Sequence, residues 1–172
     1  MDRTWLNNVK RFIIIFLIQI LILKRIDFFI EDFHYIQFFL YPLFILLLPL
    51  KMQRPLILLI AFFSGLILDI FYDSPGLHAS SLTFMVFIRN YILKFLEPRE
   101  GYNVDSSPTI ANFGFSWFLI YSSILLFLNL FWYFSVESFT FQYFSDIILK
   151  TIFSFIFSEV LILLYVVILN PK

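Results

Sequence analysis

Six apolar runs, separated by short segments of charge, proline and glycine, organise this chain of 172 residues. They fall at about 8–23, 35–50, 56–71, 77–96, 111–134 and 144–169. A helix needs roughly 20 mostly apolar residues to cross the hydrocarbon core of a bilayer. The runs are near that length, so the pattern predicts an all-α, polytopic integral membrane protein: a compact bundle of about six transmembrane helices in a single domain.

Composition agrees. Hydrophobic residues make up 61% of the chain and charged residues 14%, and mean hydropathy is +0.91. A soluble domain carries about 25% charged residues because its surface faces water. Twelve Lys and Arg balance twelve Asp and Glu, so no bulk charge points to nucleic acid. The absence of cysteine removes thiol chemistry, disulfides and cysteine-built metal sites. The 26 phenylalanines read as lipid-facing bulk.

The basic start (Arg3, Lys10, Arg11) and the run at 12–23, broken only by Gln19, resemble a signal peptide, but Lys24, Arg25 and Asp27 follow in place of a small-residue cleavage site. The run is therefore read as an uncleaved first span, with a polar hairpin at 24–34. In the second span, Pro42 and Pro49 are tolerable where neighbours re-satisfy the freed backbone groups. Eight basic residues (Arg3, Lys10, Arg11, Lys51, Arg54, Lys94, Arg99, Lys172) fall on one set of segments and three (Lys24, Arg25, Lys150) on the other. Basic residues favour the cytoplasmic side, so both termini and the segment 97–110 are expected there.

Ionisable residues inside membrane spans are costly unless partnered. Asp69 and Lys150, near span ends, are expected to reach towards the interface. Arg89 and Glu159 lie mid-span at similar depth, so an ion pair between the fourth and sixth spans is expected. The histidines, His34 and His78, lie in separate segments, and no cluster of catalytic, cofactor-binding or metal-ligating residues stands out; the expectation is a non-enzymatic protein without a cofactor.

The centre of the chain carries an ordered pattern. Residues 63–71, Phe-Ser-Gly-Leu-Ile-Leu-Asp-Ile-Phe, run into Tyr-Asp-Ser-Pro-Gly-Leu-His-Ala at 72–79. An apolar helix ending Gly-Leu-x-x-Asp, a short turn, then Gly-x-His-Ala resembles the signature of the rod shape-determining protein MreD family. The runs at 46–50, 84–89 and 96–102 are similar to the form found in Bacteroidota. Physically, Gly65 would let two spans approach, and Pro75-Gly76 would reverse the chain so that Asp69 and His78 meet. Their meeting would either fix the helical hairpin or offer a polar patch to a partner.

The resemblance implies a scaffold of the bacterial cell-wall elongation complex in the inner membrane. It would bind MreC and, through it, MreB, RodA and a transpeptidase in peptidoglycan synthesis, and so help set cell shape. The long polar segment 97–110, with Arg99, Glu100 and Tyr102, is the candidate partner loop. The family is also similar in architecture to substrate-binding subunits of energy-coupling-factor vitamin transporters, which supplies an alternative. The oligomeric state stays open.

Overall fold

A computed structural model describes residues 3–29, 35–99, 101–103, 106–140 and 143–169. Among the described residues all regular structure is helical: α1 (Arg3–Ile18), a π turn (Gln19–Leu23), α2 (Lys24–Phe29), α3 (Pro42–Leu46), α4 (Arg54–Tyr72), α5 (Leu77–Phe95), α6 (Ile110–Phe113), α7 (Phe115–Ser138) and α8 (Phe144–Leu169). Three helices, α4, α7 and α8, are long and apolar enough to cross a membrane, with 19, 24 and 26 residues. α5 packs between α4 and α7, and α8 packs on the far side of α7.

The helices start and stop where their sequences require. Pro55 occupies the first turn of α4, where an amide hydrogen is dispensable. Asp73, with φ 52°, ends α4, and Gly76, with φ 84°, opens α5. Two left-handed residues three positions apart fold the chain back within one tight turn. Gly114 (φ 84°) separates α6 from α7, and Phe139 (φ 51°) ends α7.

Packing differs from that of a water-soluble fold in what is left outside and what is taken in. Ile70, Phe95 and Ile168 are 73–79% exposed, whereas Gln19, Asp69, His78, Arg89, Asn129 and Glu159 are buried. Large exposed apolar side chains around buried polar groups suit a hydrocarbon solvent, in which unpaired polar groups are costly.

Three boundaries differ from expectation. The polar hairpin at 24–34 is replaced, over its described part, by helix α2, continuing α1 through the π turn. Lys24 and Arg25 do not break a helix because long basic side chains extend away from an apolar surface; the Lys24 ammonium bonds the Phe71 carbonyl at the end of α4. α7 continues to Ser138, four residues past the expected end. The largest difference is at 35–50, which is not a helix. Residues 36–40 are irregular, α3 lasts five residues, and 47–53 form turns. Pro42 starts α3 and the chain leaves it before Pro49, so no longer helix can form. Even so, every residue from Phe39 to Leu48 that is apolar is buried, and the segment lies at the heart of the core.

Candidate functional site: polar groups inside the apolar bundle

The expected meeting of Asp69 and His78 is present, and its geometry is specific. Asp69 Oδ1 accepts the backbone N–H of His78 at 2.8 Å and Oδ2 that of Ala79 at 3.1 Å. The same Oδ1 lies 2.9 Å from His78 Nδ1 and 3.2 Å from the Ser74 hydroxyl. The first amides of any helix lack intrahelical acceptors. Here a carboxylate from the end of α4 supplies them to α5, where negative charge is also favourable to the helix dipole. Asp69 does not reach out to the interface; it is 6% exposed. Gly65 makes the hairpin possible, because a Cβ there would lie 2.3 Å from Ala79 Cα.

His78 is fully buried, with its ring centre 4.9–5.3 Å from those of Tyr41, Tyr72 and Tyr133. With Asp69 beside Nδ1, that nitrogen carries hydrogen and donates to the carboxylate. Nε2 has no hydrogen-bond partner among the described residues, nor has either side-chain polar atom of Asn129. The Tyr41 hydroxyl lies beside Ser81 and Asn129 without meeting either in good geometry.

Five further polar side chains, Gln19, Arg89, Tyr121, Ser154 and Ser158, converge on the irregular segment 35–50. Gln19, in the π turn, uses both ends of its carboxamide: Nε2 donates to the Phe38 carbonyl (2.9 Å) and to Tyr72 Oη (2.8 Å), and Oε1 accepts from the amides of Leu40 (2.7 Å) and Tyr41 (3.3 Å). Ser154 and Ser158, one turn apart on α8, accept the amides of Gln37 (3.0 Å) and Phe39 (2.9 Å). At the other end, Arg89 Nη2 donates to the Leu48 carbonyl at 2.5 Å, and Arg89 Nε to Tyr121 Oη at 2.9 Å. Tyr121 in turn donates to the Leu46 carbonyl at 3.1 Å. A helix as short as α3 leaves its last carbonyls without partners; a phenol supplies one to Leu46 at its end, and a guanidinium serves Leu48 in the turn that follows.

Arg89 and Glu159 therefore do not pair, contrary to expectation. α7 lies between their helices, and adjacent α7 residues receive them: Tyr121 takes Arg89, while Ser122 and Ser123 donate to Glu159 Oε1 at 2.5 and 3.3 Å. Similar depth along two helices does not fix adjacency. Lys150 is ion-paired with Glu137 at 2.9 Å, both side chains 28% exposed.

The candidate partner loop divides. Tyr102 turns inward, donating to the Leu93 carbonyl at 2.8 Å between the rings of Phe113 and Trp117, while Trp117 donates to the Leu96 carbonyl at 3.0 Å. Both bonds satisfy the C-terminal end of α5. Arg99 is exposed; Glu100, like His34 and Lys172, lies outside the described residues.

Sequence reasoning missed Gln19, Tyr121, Asn129, Ser154 and Ser158. The signal was present in part: Ser154 and Ser158 share a helix face, as do Ser122, Asn129 and Tyr133. No group of three or more His, Asp or Glu poised to hold a metal occurs among the described residues. No family model matches the sequence, and neither a curated protein nor a solved structure is significantly similar to it.

Proposed function

We propose that the chain is a non-enzymatic membrane scaffold serving bacterial cell-wall elongation, in the manner of MreD-like proteins. It would bind an MreC-like protein and, through it, MreB, RodA and a transpeptidase in the inner membrane, with both termini cytoplasmic. The observation that carries the reading is the commitment of five buried polar side chains to backbone groups of other segments. Asp69 serves the start of α5, Gln19, Ser154, Ser158 and Arg89 serve the segment 35–50, and the outward faces stay apolar. Such an interior holds a shape and leaves helix faces for protein contact. The Gly-Leu-x-x-Asp and Gly-x-His-Ala pattern, here forming the Asp69–His78 hairpin, points to the same family.

Six membrane crossings are part of this proposal, the second being the irregular segment. Tyr35 lies near Asp146 at the start of α8, and Leu50 bonds the Ser106 carbonyl near the start of α6, so the segment runs from one end of the bundle to the other. Irregular backbone at membrane depth is tolerated when buried in protein.

The alternative, a substrate-binding subunit of a vitamin transporter, is favoured by the unpartnered His78 Nε2 and Asn129, which a small polar ligand could engage. Depletion in a rod-shaped host, followed by mild-detergent purification with co-expressed candidates, separates the two. Rounding of the cells and recovery of an MreC-like protein support the scaffold; normal shape and recovery of coupling ATPases contradict it.

A further inference from the structure

The Tyr41 hydroxyl, His78 Nε2 and both polar atoms of the Asn129 side chain have no hydrogen-bond partner among the described residues. The three residues come from three elements, the segment 35–50, α5 and α7, and each is fully buried. They are also neighbours. The Tyr41 ring packs edge-on to that of His78 at 5.3 Å, and its hydroxyl lies beside Asn129 and Ser81. Asn129 is one turn from Tyr133 on α7, and the Tyr133 ring is 5.1 Å from that of His78. Asp69 takes Nδ1 of His78, so Nε2 lies on the ring edge away from the carboxylate. Polar groups left unmatched in an apolar interior are costly, and here they are gathered around one tyrosine.

We propose that these groups form a buried water site. One water bridges the Tyr41 hydroxyl to the Asn129 carboxamide, and His78 Nε2 is met by that water or by a second bonded to it. The chemistry selects water. A carboxamide offers a donor and an acceptor, and a phenol acts as either. Water does both, so it also serves Nε2 whether or not that nitrogen carries hydrogen, and buried waters take roughly two to four such partners. A hard cation does not suit, because it takes about six oxygen ligands and only Tyr41, Ser81 and Asn129 bring oxygens beside one another. A larger solute needs an entrance, and Tyr41, His78 and Asn129 are each 0% exposed. The water links the segment 35–50 to α5 and α7, alongside the direct bonds from Gln19, Arg89, Ser154 and Ser158. The inference does not depend on the scaffold reading.

The test uses the full chain in mild detergent, isotope-labelled at asparagine side chains and leucine methyls for NMR. The Asn129 carboxamide protons should show direct magnetisation transfer from water, whereas the methyls of Leu125 and Leu126, equally buried on α7, should show none. The transfer is read on the unaltered protein, so it decides even if a variant does not fold. Tyr41→Phe removes one partner of the water and should weaken the transfer. In denaturant unfolding, Asn129→Leu should move the equilibrium roughly five- to thirty-fold towards the unfolded state. In a dry cluster the same change would remove two unmatched polar atoms and stabilise the protein. Absence of transfer to Asn129, an Asn129→Leu protein more stable than the parent, or a stoichiometric solute released on denaturation and found by mass spectrometry would each overturn the proposal. The released solute would also favour the transporter alternative. A dry Asn129 would remove the water site and leave the scaffold reading, which cell shape and co-purification test separately.

Discussion

The two oxygens of Asp69 accept the backbone amides of His78 and Ala79, at 2.8 and 3.1 Å, so a side chain from α4 caps the neighbouring helix α5. Asp69→Ala should lower stability by about 2 kcal/mol, the upper range for losing a helix cap, and leave His78 without its acceptor. Asp69→Asn, which keeps one acceptor oxygen, should fall between the two. Denaturant unfolding in mild detergent measures the series; an Asp69→Ala protein as stable as the parent would contradict the capping role.

Gly65 should tolerate no side chain. Alanine is intrinsically better than glycine in a helix by about 1 kcal/mol, yet its Cβ would lie 2.3 Å from Ala79 Cα, a backbone atom that cannot yield. Overpacking costs typically 1–3 kcal/mol, so Gly65→Ala should reduce folded yield and Gly65→Leu abolish it. Ile70→Ala, on the outer face at 76% exposure, is the control and should be neutral.

Arg89 and Glu159 should behave independently. Arg89→Leu leaves the Leu48 carbonyl without its donor and should cost about 1.5–3 kcal/mol, the range for a bond to a charged group. Glu159→Leu acts through Ser122 and Ser123 instead. The double change should equal the sum of the single ones within about 0.5 kcal/mol, and exchanging the two residues should rescue nothing. A double mutant better than the sum would reveal coupling between them.

Much of this arrangement was legible in the sequence. The apolar runs gave α4, α5 and α8 nearly to the residue, because long runs bounded by Pro, Gly and Asp leave the chain few choices. The Asp69–His78 contact followed from the turn between them. The segment 35–50 was misread because its composition is that of a membrane helix. What prevents the helix is the pair Pro42 and Pro49 together with partners distant in the chain, Gln19, Arg89, Ser154 and Ser158, which hold the irregular backbone. The Arg89–Glu159 pair failed for a related reason: hydropathy sets depth, not which helices touch.

Tyr102 offers a pH test outside the spans. Burial, with the negative charge of Glu97 nearby, pushes its hydroxyl up to about 12 from the usual 10. The neutral phenol donates to the Leu93 carbonyl, so its contribution to stability should be complete below about pH 10 and fall as the pH rises through about 12. Tyr102→Phe should remove one late-titrating tyrosine from a spectrophotometric titration and flatten that part of the stability profile. An unchanged titration would mean the hydroxyl is not held inward.

The most direct measurement is residue-resolved hydrogen exchange at Gln37, Phe39 and Leu40, whose amides are bonded to Ser154, Ser158 and Gln19 at 3.0, 2.9 and 2.7 Å. If buried side chains hold this irregular segment, these amides should be as protected as those of α7. Gln19→Leu should expose Leu40, and the double change Ser154→Ala with Ser158→Ala should expose Gln37 and Phe39, with α4 and α5 unaffected. Rapid exchange at these amides in the unaltered protein, or protection that survives both changes, would contradict a polar interior built to hold the backbone.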